Sequence, residues 1–450
     1  MGKEFQFLRV VRYNLLYTWD VKRYISDNGK HFSNAVRLRD ILTPHFECIS
    51  KEDLLKNKWC IIQKINFSGK LFLRDYTEAK TFKGNLNKVS ENTLIYSKIN
   101  VRHGCIYYHP SGSIPFATST EYPAYKFDIQ SINGDYLVKI IQSNYFKSVL
   151  NQKSTGISKS RVKSDEFLDV EIPLPSLVEQ ERLMNDYNDK NLQANNMERQ
   201  AVKLEDDIEK YLFTELGIEQ NVNSNQQNNS GYNFLKFVRC KEMEKWGVNY
   251  NSSSNTVSNL YPSKKIYELC RLGSGGTPSR SIPHYYKGDI PWIKTGEVIN
   301  DEIIETEEHI TQDAIDNSSA KIYPKGSLII AMYGQGDTRG RTAKMSINAA
   351  TNQACAVLFD IKNNIVKTDY LWYYLQGRYH DLRSLASGNN QPNLNAGKIN
   401  NYDVIIPPID VQNTIVDNIN TLKSQIKQLR SQAEELRKSA LEDFEREIFE

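Results

Sequence analysis

Charge of one sign is scarce in this 450-residue sequence. The 57 Lys and Arg are nearly balanced by 54 Asp and Glu, leaving a net charge of +3. A protein that grips nucleic acid alone and without sequence preference is ordinarily more basic, because each neutralised phosphate needs a cation. If this chain touches nucleic acid, another chain supplies much of the neutralisation. Long apolar runs are also absent. Nothing approaches the roughly 18 consecutive apolar residues of a membrane span, and Met1-Gly2-Lys3-Glu4-Phe5-Gln6 is not followed by the apolar core of a secretory signal. The expectation is a cytoplasmic protein with no membrane partner. The six cysteines, Cys48, Cys60, Cys105, Cys240, Cys270 and Cys355, form no Cys-x-x-Cys pair. That argues against a zinc ribbon or a thioredoxin-like site, and isolated thiols suit a reducing compartment.

Catalytic signatures are missing as well. There is no His-Glu-x-x-His, no Gly-x-Ser-x-Gly, and no Asn-Pro-Pro-Tyr or Asp-Pro-Pro-Tyr. The glycine-rich stretch Leu272 to Ser279 lacks the Gly-Lys-Ser/Thr ending of a P-loop and the third glycine of a dinucleotide fingerprint. It reads better as a turn bringing backbone amides near a phosphate. His103 and His109 flank Cys105, but that spacing fits no standard metal ligand set. The expectation is a chain with no catalytic residue, no metal and no cofactor of its own.

What is present is a duplication. Trp19-Asp20-Val21 with Tyr24 is echoed by Trp246-Gly247-Val248 with Tyr250, and Leu94-Ile95-Tyr96 by Leu328-Ile329-Ile330. Ala124 and Phe127-Asp128 are echoed by Ala356 and Phe359-Asp360, and Asp135-Tyr136-Leu137 with Gln142 by Asp369-Tyr370-Leu371 with Gln376. Ser154-Thr155-Gly156 matches Ala386-Ser387-Gly388, and Ile172 to Pro175 with Gln180 matches Val404 to Pro407 with Gln412. The order is kept throughout and the offset stays near about 230 residues, so the chain is read as a tandem repeat.

Each half closes in a helix. Leu183, Tyr187, Lys190, Ala194, Met197, Ala201, Leu204, Ile208 and Tyr211 step by four and three. Ile415, Ile419, Leu422, Ile426, Leu429, Ala433, Leu436 and Ala440 do the same. This is the spacing of a coiled-coil seam. No proline or glycine interrupts residues 176–215 or 409–450. Two seams of similar length in one chain predict that the helices pair with each other. Between the halves, Glu219 to Gly231 is an Asn/Gln/Ser tract that reads as a flexible linker. The fold class expected is α+β. Two tandem globular domains of mixed strands and helices, residues 1–177 and 233–408, precede helices at 178–217 and 409–450, with a linker at 218–232. Within the second domain, Tyr323 to Tyr333 and Gln353 to Phe359 are predicted strands, and Lys367 to Arg383 a helix with Tyr370, Leu371, Tyr374, Leu375 and Tyr379 along one face.

Residues able to contact nucleic acid fall in several separate loops. Near the start of the second domain stand Thr277, Ser279, Arg280, Lys294 and Thr295. After a predicted strand, Gln335, Arg339 and Arg341 lie among glycines that permit close approach, with bidentate donors for base edges or phosphates. Asn390, Gln391, Asn393 and Asn395, followed by Lys398, form an amide-rich loop, and amides pair well with adenine in the major groove. In the first domain, Lys159, Ser160, Arg161 and Lys163 make a cationic, hydroxyl-rich phosphate grip, and Arg102 and His103 occupy the place corresponding to the Gly334 loop.

The second half closely resembles the specificity subunits of type I restriction–modification systems. The resemblance is carried in order by Gly275-Gly276-Thr277-Pro278-Ser279, Tyr286 to Glu297, Gly326-Ser327-Leu328-Ile329, Gly340-Arg341, Thr351-Asn352-Gln353-Ala354, Leu394 to Ile399, and Pro407-Pro408-Ile409 to Gln412. The first half keeps Ile172 to Gln180 but has no Gly-Gly-Thr-Pro-Ser. The resemblance implies that each domain is a target-recognition domain reading one half of a split, asymmetric double-stranded DNA site, with the helices as an antiparallel spacer. It further implies docking of two methyltransferase subunits and two restriction/translocase subunits. S-adenosylmethionine, ATP and Mg are expected on those partners. The alternatives are a coiled-coil adaptor without sequence-specific DNA binding and a self-sufficient DNA-modifying enzyme.

Overall fold

A computed structural model of the chain describes residue 32 and residues 34–153, 161–218, 260–334, 336–385 and 394–449. The chain falls into two compact units, and the division passes through both long helices. The first unit takes residues 1–197 and 431–450, the second residues 198–430. The predicted linker and the tryptophan matches at Trp19 and Trp246 lie outside the described residues, except for Ile218.

The first unit runs β1 (Ala35–Arg37), α1 (Leu38–Ile41), β2 (Thr43–Pro44), β3 (Cys48–Ile49), α2 (Lys51–Asn57), β4 (Ile61–Ile65), β5 (Leu71–Arg74), β6 (Leu86–Val89), β7 (Thr93–Tyr96), β8 (Ile106–His109), β9 (Phe116–Thr118), β10 (Ala124–Lys126), α3 (Gly134–Gln142), α4 (Asn144–Gln152), α5 (Ser164–Leu168), β11 (Glu171–Pro173) and α6 (Leu177–Glu215). Among the described residues three sheets form, a two-stranded β1-β11 and two larger ones ordered β2-β10-β7-β8 and β3-β6-β9-β4-β5. All four residues of β7 are buried. Side chains alternate across a strand: Leu94 and Tyr96 enter the core with Tyr136, Leu137 and Phe167, while Ile95 packs with Ile62, Ile65 and Phe116 of the other sheet. The sheet is therefore covered on both faces, which explains its continuous apolar run.

The second unit follows with β12 (Ser263–Lys265), α7 (Ile266–Leu269), β13 (Arg271–Ser274), β14 (Ile290–Ile293), β15 (Glu302–Ile303), β16 (Glu308–Ile310), α8 (Gln312–Asp316), β17 (Ile322–Tyr323), β18 (Leu328–Ala331), β19 (Thr342–Met345), β20 (Ala349–Thr351), β21 (Cys355–Phe359), α9 (Thr368–Gly377), α10 (Tyr379–Ser384), α11 (Ala396–Asn400), β22 (Asp403–Ile405) and α12 (Ile409–Phe449). Its sheets are β12-β22, β13-β21-β18-β19-β15 and β16-β14-β20-β17. The predicted strand Tyr323 to Tyr333 is two pieces, because Pro324 opens a turn, closed by Ser327 N–H donating to the Pro324 carbonyl at 3.2 Å, and Gly326 takes φ +88° there. The predicted helix to Arg383 breaks at Arg378. Gly377 sits just before the break, where a Cβ would lie 2.6 Å from Leu212 of α6.

The duplication extends to individual hydrogen bonds. β10-β7-β8 corresponds to β21-β18-β19, and the parallel pair β4/β9 to β14/β20. The Tyr136 hydroxyl donates to the Pro173 carbonyl at 3.0 Å, and the Tyr370 hydroxyl to the Ile405 carbonyl at 2.7 Å. Gln180 accepts from Asn133 N–H at 2.8 Å and donates to the carbonyls of Ser131 and Pro175 at 3.1 and 2.8 Å. Gln412 accepts from Lys367 N–H at 2.8 Å and donates to Ile365 and Pro407 at 3.0 and 2.9 Å. Each glutamine is fully buried. A buried amide survives only when satisfied, and here its three bonds pin the start of the long helix to its domain.

In each unit, segments of α6 and α12 lie antiparallel. In the first, Arg182 pairs with Glu447, Lys190 with Asp443, and Arg437 donates to Asn195 at 3.0 Å. Lys190, which interrupts the apolar seam, is thus matched to a carboxylate. In the second, Arg430 pairs with Glu198 and Glu205 at 3.3 and 3.0 Å, and Asn418 donates to the Tyr211 hydroxyl at 2.6 Å. Ala194, Ala201, Ile415, Ile419, Ile426, Ala433 and Ala440 are buried along these seams.

Candidate nucleic-acid interface

In the second unit the turn Asn352–Ala354, after β20, gathers loops that are distant in sequence. Its Asn352 Nδ2 donates to the Thr295 hydroxyl at 3.2 Å, and the Thr277 hydroxyl donates to Gln353. The Ala354 carbonyl accepts from Met332 N–H at 2.8 Å, and the Met332 carbonyl accepts from Leu394 N–H at 3.2 Å. Thr277, Thr295, the β18–β19 connection and the start of α11 are therefore joined through one turn. Asn352 and Gln353 stood in the resemblance but were not among the predicted contact residues.

The Gly275-Gly276 stretch differs from the phosphate turn expected of it. The Gly276 N–H donates to the Thr351 carbonyl at 2.9 Å. A Cβ on Gly275 would lie 1.8 Å from that same oxygen, and one on Gly276 2.4 Å from the Ala320 nitrogen. Trp292 Nε1 donates to the Gly276 carbonyl at 3.1 Å, and the Tyr286 hydroxyl to the Pro278 carbonyl at 2.6 Å. The glycines allow two backbone segments to touch, and the aromatic residues lock the loop.

Arg280 lies over the Tyr286 ring at 4.0 Å and pairs with Glu308 at 2.7 Å. Lys294 meets Glu307 at 2.7 Å and Glu308 at 3.1 Å. The hydrogen bond to Glu308 raises the Arg280 pKa, those to Glu307 and Glu308 raise that of Lys294, and Arg280 in turn lowers Glu308. Both cations stay charged but are already engaged by carboxylates. Ser279 is exposed and shares a 2.7 Å hydrogen bond with Ser281.

The loop bearing Arg339 and Arg341 is held from beneath by α10. Arg383 Nη1 donates to the carbonyls of Gly336 and Arg339 at 2.9 and 3.2 Å, and the Tyr379 hydroxyl to the Asp337 carbonyl at 2.7 Å. Among the described residues, the Arg341 guanidinium has no hydrogen-bond or ion-pair partner. Just past α10, the Leu385 carbonyl is held by Lys398 Nζ, and Asn395 caps α11 by accepting from Lys398 N–H at 2.9 Å. Lys398 and Asn395 thus serve the local fold. Gln335, Asn390, Gln391 and Asn393 lie outside the described residues.

In the first unit, Arg102 and His103 lie in a 3₁₀ turn, Val101–His103, joining β7 to β8, as the β18–β19 connection does in the second unit. Arg102 donates to Asn151 at 3.3 Å, and the His103 ring lies 5.4 Å from that of Phe67. Arg161 reaches Glu121 at 3.4 Å, and Lys163 is exposed at the start of α5. Lys159 and Ser160 lie outside the described residues. His109 and Cys105 are buried, and burial pushes the Cys105 thiol up to about 11, so it stays protonated at neutral pH. Among the described residues no group of His, Cys, Asp or Glu could hold a metal ion, and no helix is long and apolar enough to cross a membrane.

Residues 261–437 match the family model of the type I restriction modification DNA specificity domain. The likeness to type I specificity subunits read from the sequence is borne out over this part of the chain. The chain is 28% identical over 157 residues to the type I restriction enzyme MjaIX specificity subunit of Methanocaldococcus jannaschii, covering 34% of this chain and 35% of that protein. It is 27% identical over 158 residues to the EcoR124I/EcoR124II specificity subunit of Escherichia coli, covering 34% and 39%. These matches span little more than a third of either relative. A solved structure described as the basis of complex assembly and conformational transition of the type I R-M system superposes with a TM-score of 0.58 at 16% identity, covering 92% of this chain and 96% of that one. The shared fold therefore includes both halves.

Proposed function

We propose that this chain is the non-catalytic DNA sequence-recognition subunit of a type I restriction–modification complex, reading an asymmetric bipartite site with one half-site per domain. The observation that carries this reading is the specificity-domain match over residues 261–437 on a chain whose first half repeats the same sheet order and helix anchors. Two domains of one fold with different loops are suited to two different half-sites. Loops tied together through one turn suit entry into a groove, where base edges are read.

The remaining assignments follow from the same reading. Helices of 39 and 41 residues each rise roughly 60 Å at 1.5 Å per residue and serve as spacer and as docking surface for two methyltransferase subunits. Two restriction/translocase subunits complete the complex. S-adenosylmethionine, ATP and Mg belong to those partners, and this chain selects the sequence they act on.

The test is single-molecule methylation sequencing of DNA from cells holding the companion methyltransferase with and without this chain. A methyladenine motif split by a fixed gap, present only with the chain, supports the proposal. Unchanged methylation beside an active partner rejects it and favours the adaptor reading.

A further inference from the structure

The β4–β5 connection of the first unit is a rigid hairpin tip with an aromatic side chain at its end. Asn66 Oδ1 accepts from Ser68 N–H at 3.2 Å and Lys70 N–H at 2.7 Å, and Asn66 N–H closes the hairpin on the Lys70 carbonyl at 3.0 Å. Gly69 completes the turn at φ +82°. These bonds present Phe67, 66% exposed, beyond the strands. An aromatic ring kept in water by a pre-formed turn adds nothing to the core; a single exposed apolar side chain is common on protein surfaces, and what singles this one out is what surrounds it.

Its surroundings are cationic. The Phe67 carbonyl lies 2.7 Å from where Gly104 would carry a Cβ, and Lys147 Cε lies 3.3 Å from the same point, so hairpin tip, 3₁₀ turn and α4 meet there. His103 flanks the Phe67 ring. Lys64 and Lys70 reach over Phe72 at 5.1 and 5.7 Å. Among the described residues, Lys64, Lys70 and Lys147 have no carboxylate partner. This contrasts with Arg280 and Lys294, which are paired. Cations left unneutralised around an exposed ring fit a polyanion bearing flat apolar surfaces.

The second unit repeats the placement independently. Gln142 Nε2 donates to the Gly104 carbonyl at 2.9 Å, and Gln376, its repeat counterpart, to the Asn300 carbonyl at 3.1 Å. Asn300 lies in the β14–β16 connection, the counterpart of the hairpin tip, and its N–H donates to the Thr342 carbonyl beside the Arg341 loop at 2.9 Å. That connection also exposes apolar side chains, Ile299 at 58% and Ile304 at 69%. In each repeat the two connections thus meet beside the counterpart glutamine, which bonds the β7–β8 turn in the first unit and the β14–β16 connection in the second, and apolar side chains are exposed there.

We infer that Phe67 is the residue with which the first domain touches the bases of its half-site, while Lys70 and Lys147 hold the flanking phosphates. This rests on the DNA-reading function proposed above. An apolar ring meets base surface or a thymine methyl without needing a hydrogen bond, and alanine substitution of a residue stacked on a base typically costs about 1–3 kcal/mol.

The test uses the full chain with its methyltransferase and substrates altered in one half-site at a time, the first domain's half-site being the one that changes when that domain is replaced. Phe67→Ala is expected to reduce methylation and binding at the cognate sequence by roughly five- to 150-fold, to narrow discrimination at the first half-site only, and to leave the melting temperature unchanged. Phe67→Trp should restore most of the loss, and Lys70→Gln should weaken binding evenly across sequences with a shallower salt dependence. Unchanged first-half-site discrimination in Phe67→Ala, while the wild type shows a split motif, overturns the inference alone. A wild type with no split motif overturns the function on which it rests.

Discussion

Replacing Gln412 by Leu removes the anchor between α12 and its domain without changing the size of the side chain much. The Lys367 N–H loses its acceptor at 2.8 Å, and the Ile365 and Pro407 carbonyls lose their donor at 3.0 and 2.9 Å. A buried polar group left unsatisfied costs about 1–3 kcal/mol. Lys367 and Ile365 are only half-buried, so water relieves part of this. Leucine recovers a further fraction by apolar burial, leaving a net loss of about 2–3 kcal/mol. Hydrogen–deuterium exchange across residues 409–422 reads this locally, since Ile415 and Ile419 are buried there. At tenfold per 1.4 kcal/mol, exchange through opening should quicken by roughly 30- to 150-fold. Gln180→Leu should act equally on the start of α6, where the same three bonds occur. A change under about threefold at both positions would show that the glutamines are not anchors.

Other consequences follow from the same geometry. Gly275→Ala places a Cβ 1.8 Å from the Thr351 oxygen and should sharply lower the melting temperature, whereas Gly296→Ala, with nothing within 4 Å, should leave it unchanged. Arg341→Ala should weaken recognition of one half-site only, by about 1–3 kcal/mol if it contacts a base, and Arg383→Met should reproduce this through loss of the Gly336 and Arg339 carbonyl bonds without a fall in melting temperature. A uniform loss over unrelated DNA sequences, measured by binding, would instead mark Arg341 as a phosphate contact. Burial, reinforced by Lys126, holds His109 below its usual pKa, against the opposing pulls of the Ile114 backbone and Glu91. Because the folded pKa is depressed, its stability contribution is complete above about pH 6.5 and is lost as pH falls through the folded value. Urea unfolding at pH 5 and 7.5 should therefore show a smaller acid-side loss for His109→Leu than for the wild type.

The duplication was legible because repeated packing demands repeated residues: Leu94 and Leu328, Tyr136 and Tyr370, and Gln180 and Gln412 occupy equivalent places. Helix ends were legible because proline precedes each run and nothing breaks it. Other features depended on tertiary contact. Lys190 looked like a flaw in the seam until Asp443, some 250 residues on in sequence and antiparallel to it, came into place. The Gly275-Gly276 turn looked like a phosphate cradle because glycine composition does not show what the backbone approaches, here the Thr351 carbonyl. Arg280 and Lys294 stand out in the sequence by charge alone, and the acids that engage them, Glu307 and Glu308, lie in a loop no spacing rule connects to them. Phe67, an exposed aromatic on a hairpin tip, carries no sequence signature of its own. Its one local sign was Asn66 followed by Gly69, a turn pattern.

The central claim, one half-site per domain, is tested most directly by exchanging residues 261–405 for the corresponding domain of a relative with a different known target and sequencing the methylation in cells with the companion methyltransferase. The account predicts a new motif in which one half changes, the other half is retained, and the gap between them is unchanged. A change in both halves together, or in neither, would contradict it.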